Sequence, residues 1–210
     1  MLKRIKTLAS LYRELGLRWS AFRLAYAFRH RSGLIRLQMP QYKWADRPLA
    51  MWLKKNIPSE STSYAEWRKA NAPKFFFDKT YREIHLAGCD INVAVQEADR
   101  ILNGEIKFFS HEYQQTGFPP NWHTDPVSKT TLNSTKHWSQ ISDDGEVDIK
   151  FIWEANRFAF VYTLVRAYAA TNDEKYPQAF WQLIQDWTDH NPPNTGANWK
   201  DGQEIALRLM

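Results

Sequence analysis

The 210 residues of this chain suffice for one domain, or one domain with an extension, and for a sizeable core. A single cysteine, Cys89, excludes an internal disulfide and any cysteine-rich zinc site. The formal net charge of +5 hides an asymmetry: residues 1–55 carry thirteen Lys or Arg against Glu14 and Asp46, a net of +11, while the other 155 residues sum to −6.

The N-terminal block comes first in chain order. Its charge suits nucleic acid, anionic lipid or an acidic polysaccharide, and equally a solvated face of ordinary helices; the expected partners are an acidic polysaccharide and an anionic membrane surface, with no nucleic acid expected. Arg4, Lys6, Arg13, Arg18, Arg23 and Arg29 interrupt every apolar window, so neither a signal peptide nor a membrane span is expected. The default compartment is then cytoplasmic, with a periplasmic or membrane-associated location as the alternative. In "LRWSAFRLAYAFRHR", Trp19, Phe22 and Tyr26 recur at helical spacing among arginines, which fits an interfacial helix and a packed one equally well. Gly33, Pro40 and Pro48 mark a linker, so residues 1–55 read as a basic helical extension and linker, and residues 56–210 as the start of a second domain.

"SYAEWRKA" predicts a short helix capped by Ser63, with Glu66 three residues on. "KFFF" and "EIHLAG" suit short extended segments. "DINVAVQEADRILNG" predicts an amphipathic helix with Asp90 as its cap, Val93, Ala94, Ile101 and Leu102 as apolar positions, and Asn103-Gly104 as its stop. Residues 105–148 read as irregular. A loop of that length is functional or disordered, and its aromatic residues argue against disorder. It contains Trp122, His123 and Asp125, the last explained by a local turn before Pro126.

"WEANRFAFVYTLVRAYAATN" reads as one central helix, apolar on nearly every side. "DEKYPQAFWQLIQDWTDHN" reads as a one-sided helix burying Tyr176, Phe180, Leu183, Ile184 and Trp187 and exposing Gln178, Gln182, Gln185 and Asp189. Together they form a helical hairpin, so the fold class is mainly α. "NPPNTGANWK" then leads to a last helix, in which Asp201 and Glu204 have capping-box spacing and Arg208 lies four residues beyond Glu204. That helix has begun an apolar stripe with Ile205 and Leu209 when the sequence stops at Met210, which suggests a cut inside a larger fold. The six histidines show no metal-ligand spacing, and no phosphate loop or nucleophile elbow stands out, so neither metal nor cofactor is expected.

Several ordered residues carry a resemblance: Asp148 and Lys150, Trp153 and Glu154, Asn156 and Arg157, Asn191 and Pro192, Gly196, Asn198 and Trp199, Glu204 and Arg208. In this order and spacing they resemble the N-terminal helical region of the heparinase II/III family of polysaccharide lyases. The resemblance implies part of an incomplete α/α toroid built from helical hairpins, the chain ending before the rest of the toroid and a β-sandwich region. It also implies β-elimination on uronic-acid-containing polysaccharides, with the catalytic groups lying beyond residue 210 and none assigned here. The substrate-binding candidates are Asn198, Trp199, Arg208, Trp122 and His123, and the structural supports are Glu154, Arg157, Asn191 and Glu204. Asn198 and Trp199 can meet a sugar ring, or can cap the loop and plug the space between helices. A glycoside hydrolase using two carboxylates and a non-catalytic glycan- or membrane-binding protein stand as alternatives.

Overall fold

The computed structural model describes residues 2–72, 90–142 and 147–209, with side chains described from Ser10 onward apart from Leu11. The segments "KFFF" and "EIHLAG" lie outside the described residues. The chain divides into two compact units, Met1–Gln41 and Tyr42–Met210.

The first unit consists of α1 (Leu2–Arg31) and α2 (Leu34–Gln38). The helical run of α1 is broken at Gly16, whose φ of 79° and ψ of 172° only glycine adopts easily. Arg29, His30 and Arg31 occupy its last turn, where cations complement the negative end of the helix dipole.

In the second unit α3 (Ser61–Ala70) is capped one turn earlier than its sequence suggests. The cap is Glu60, whose carboxylate accepts from the backbone N–H of Ser63 (2.9 Å) and Thr62 (3.0 Å), and Ser63 lies inside the helix. Those hydrogen bonds, the one from Ser63 first, hold the Glu60 carboxyl at about 2. Helix α4 (Ile91–Leu102) starts as expected, with Asp90 accepting from Asn92 N and Val93 N. Its buried positions are Ala94, Ala98 and Ile101, and Val93 faces outward.

The segment read as irregular opens with a hairpin, β1 (Glu105–Phe108) against β2 (Glu112–Gln115), antiparallel with Glu105 opposite Gln115 and Phe108 opposite Glu112. Phe109 and Ser110 both have positive φ in its turn. Ile106 and Phe108 point into the core and the strand's other residues do not, the alternation of a half-buried strand.

The long helix expected over residues 153–172 is two helices, α5 (Ile149–Asn156) and α6 (Phe160–Thr171). The break falls at Phe158, where φ is +60°. The change of direction sends Arg157 toward Glu204 and turns the Phe158 ring edge-on to Trp187, centroids 5.3 Å apart. Nor is α6 apolar on a wholly buried surface. Phe160, Leu164 and Ala167 are buried, whereas Tyr162 and Val165 are exposed. Helix α7 (Lys175–His190) packs on α6 as the second arm of a hairpin, burying Tyr176, Ala179, Leu183 and Trp187 and exposing Gln178, Gln182, Gln185 and Asp189. Helix α8 (Gly202–Leu207) closes the described chain. The core joins α4, β1, α5, α6 and α7 through Ala98, Phe108, Ala155, Leu164 and Leu183.

Candidate functional site

Around the loop 191–200 three asparagines, none of them exposed to solvent, are joined through main chain and indoles. Asn191 is fixed by Nδ2 donating to Trp187 O (2.9 Å), and its Oδ1 accepts from Asn198 Nδ2 (2.8 Å). Asn198 Nδ2 also donates to Trp122 O (3.1 Å), which accepts a second bond from Asn156 Nδ2 (3.0 Å). Trp187 Nε1 donates to Asn156 Oδ1 (2.7 Å). Buried amides persist only when hydrogen-bonded, so this network fixes α5, α7 and the two loops in one register.

The long loop is strapped to the same place. Gly196 N donates to Lys136 O (2.8 Å), Trp138 N to Asn194 O (3.1 Å) and Lys200 Nζ to Ile141 O (2.6 Å), while Trp153 Nε1 donates to Ala197 O (3.0 Å). Gly196 makes this approach possible. Its φ of 76° and ψ of −176° belong to a region open essentially to glycine alone, and an added Cβ would stand 3.0 Å from His123 Cε1. Gly196→Ala is expected to lower unfolding free energy by about 1–3 kcal/mol, read from urea denaturation.

Arg157 links Glu154 and Glu204. Its Nε donates to Glu204 Oε2 (2.8 Å), its Nη2 to Glu204 Oε1 (2.6 Å), and its Nη1 to Glu154 Oε1. Glu154 Oε2 accepts from Phe109 N (2.9 Å), which brings in the hairpin turn. Hydrogen bonding to Glu204 raises the Arg157 guanidinium above its already high ordinary value. Glu204 is therefore an ion-pair partner across the fold rather than half of a capping box. Asp201 alone caps α8, accepting from Gln203 N (2.7 Å).

With Glu204 occupied, Arg208 turns elsewhere. Its Nη2 donates to Asn198 O, and its guanidinium lies over the rings of Trp187 (5.2 Å) and Trp199 (5.8 Å). Burial lowers its pKa to about 10. Trp199 also meets Trp44 at 5.8 Å, and Trp44 Nε1 donates to Thr188 O (3.1 Å). Asn198 Oδ1, Trp199 Nε1 and Arg208 Nη1 are buried without a hydrogen-bond partner among the described residues.

Beside this framework lies a cavity of about 400 Å³ between Pro119, Asn121, Trp122, His123, Ser134, Asp186 and His190. Trp122 is buried, its Nε1 donating to Asp186 Oδ1 (2.7 Å). His123 is buried too, bonded through Nε2 to the carbonyl of His190 (3.1 Å), with no partner for Nδ1 among the described residues. The carbonyl can only accept, so Nε2 carries the proton in the neutral ring. His190 is exposed, and its Nδ1 faces Asp186 O (2.8 Å). Asp125 forms a local turn instead, accepting from Val127 N (2.8 Å) and Ser128 Oγ (2.7 Å).

Burial lowers the His123 pKa. Its neutral form is favoured in the folded state, so the stabilisation is complete above the unfolded value of about 6.5 and fades as pH falls toward the lower folded value. His123→Gln is expected to flatten the loss of melting temperature between neutral pH and mild acid, measured by calorimetry.

A second groove, of about 320 Å³, runs between α4, the hairpin and α6. Here Lys107 Nζ donates to Glu97 Oε1 (2.6 Å) and Tyr113 OH donates to the same oxygen (3.1 Å), with Tyr162 and Arg166 on the rim. The Lys107 hydrogen bond lowers the Glu97 carboxyl, and burial raises the Tyr113 phenol. None of these residues stands out in the sequence, because the trio forms only when the hairpin folds back over α4. Among the described residues no group of three or more His, Cys, Asp or Glu could hold a metal ion.

The second unit is thus a helical-hairpin protein in which a buried asparagine–tryptophan framework adjoins a cavity lined by polar and apolar residues alike. The family model for the heparinase II/III N-terminus matches residues 36–209, and the chain belongs to that family. Membership indicates, at a coarse level, part of a polysaccharide lyase and an acidic polysaccharide as substrate. Comparison with curated proteins and with solved structures found no match in either set.

Proposed function

We propose that this chain is the N-terminal helical part of a lyase that cleaves uronic-acid-containing polysaccharide by β-elimination, and that its hairpins form one side of an α/α toroid. The family match over residues 36–209 carries this reading. In β-elimination the uronate carboxylate is neutralised so that the C5 proton becomes acidic, a base removes that proton, and an acid protonates the departing oxygen. No residue of this chain is assigned to those three tasks.

The chain's part is to hold and shape the substrate groove. The framework of Asn156, Asn191, Asn198, Trp122 and Trp187 supports the reading, since a groove must keep its geometry while a polymer slides through it. His190 and Asn121, the exposed polar residues of the cavity lining, would meet sugar hydroxyls there, with Trp122 and His123 as further lining residues. Asn198 supports that lining by donating to Trp122 O, and Trp199 and Arg208 are not among the lining residues. Full-length protein incubated with uronate polymers is expected to release unsaturated sugar ends that absorb in the ultraviolet. His190→Ala should raise KM about 5–10-fold at little change in kcat, the loss of one or two hydrogen bonds made equally to substrate and transition state.

A further inference from the structure

The unit Met1–Gln41 carries a surface of a different kind. From Leu17 onward α1 places Leu17, Ala21, Leu24 and Phe28 at successive spacings of four, three and four, one stripe of a helix. Leu17, Leu24 and Phe28 are 69%, 72% and 67% exposed, unusual for three large apolar side chains in a row. At helical spacing Arg18 and Arg29 border the stripe on one side and Arg31 on the other. No acid occurs between Glu14 and Asp46, whereas Arg18, Arg23, Arg29, Arg31, Arg36 and Lys43 all fall there. The break at Gly16 starts this segment as a helix in its own right.

Three kinds of occupant would cover such a face, and the charge decides among them. A second copy would set the same cations against themselves. A soluble acidic polysaccharide would pair with the arginines and leave Leu17, Leu24 and Phe28 in water. An anionic lipid surface takes both, receiving the apolar stripe below its headgroups and the arginines among them.

We propose that residues 17–31 lie in the interface of an anionic membrane, parallel to its plane. No described helix is long and apolar enough to cross one. The lyase reading of the second unit can fail without touching this, because the two rest on different residues.

The test is co-sedimentation of the full chain with vesicles of phosphatidylcholine alone and of phosphatidylcholine mixed with phosphatidylglycerol. The chain should pellet with the anionic vesicles only, less at high salt. Arg18→Gln with Arg29→Gln should weaken partitioning roughly 30-fold, each cation near such a surface accounting for about fivefold. Leu24→Ser with Phe28→Ser should abolish it while leaving the far-ultraviolet circular dichroism unchanged. The arginine pair keeps the stripe intact and tests the proposal by itself should the serine pair not fold.

Equal binding to both vesicles, binding to neither, or indifference to these substitutions would overturn the proposal. So would a dimer that the serine pair converts to monomer, which would make a second copy the occupant. Binding to a soluble uronate polymer that depends on the arginines, without any to vesicles, would overturn it in favour of the polysaccharide.

Discussion

Replacing Arg157 by Met is expected to destabilise the fold by about 3–5 kcal/mol, the loss that follows when one partner of a buried ionic group is removed. Glu154 and Glu204 have side chains only 9% and 5% exposed, and Arg157 is the cation bridging both. Met fills much the same volume, so the loss reports uncompensated charge rather than a cavity. The damage spreads because each carboxylate belongs to a different part: Glu154 to α5, with the hairpin turn attached through Phe109 N, and Glu204 to α8. The wild type and Arg157→Met then mark the ends of the range. Arg157→Lys should fall between the two, keeping the charge but losing the planar fork that reaches both Glu204 oxygens. Urea denaturation read by circular dichroism measures all three. A loss below about 1 kcal/mol for Arg157→Met would mean the bridge is a surface ion pair in solution.

The second large effect is expected at Asn156. Asn156→Leu keeps the branched heavy-atom outline but removes the acceptor of Trp187 Nε1 and one of two donors to Trp122 O. Trp122 O retains Asn198, so the stranded group is the buried Trp187 N–H, and the total loss is about 2–4 kcal/mol. A double-mutant cycle with Trp187→Phe separates the bond from the packing, because Phe removes the stranded donor. The pair should couple by at least about 1 kcal/mol, and additive losses would contradict the network.

Much of the helical framework is legible in the sequence because its signals are local. Asp90 before "INVAVQEADRIL" and Asn103-Gly104 after it mark both ends of α4, and the one-sided pattern of α7 identifies its buried face. Where distant contacts decide, local signals fail. The hairpin turn uses Phe109 and Ser110 at positive φ rather than the Asn-Gly that advertises such a turn. The break at Phe158 follows from where Arg157 and the Phe158 ring must go, which nothing nearby in sequence reveals. Glu204 has capping-box spacing, yet a cation forty-seven positions away claims it.

The candidate site divides the same way. Trp122, His123, Asn198, Trp199 and Arg208 can be singled out in the sequence by residue type and order, and the structure gathers them around the loop 191–200. Their depth is a property of packing: Trp122, His123 and Asn198 are buried, whereas His190 and Asn121 of the cavity lining are exposed.

Lyase chemistry is decided by the ends left in a uronate polymer after incubation with the full-length protein. Cleavage by β-elimination leaves an unsaturated sugar at each new non-reducing end, and the proposed activity requires ultraviolet absorbance rising in step with new reducing ends. New reducing ends without that absorbance would mean hydrolysis, and would contradict it.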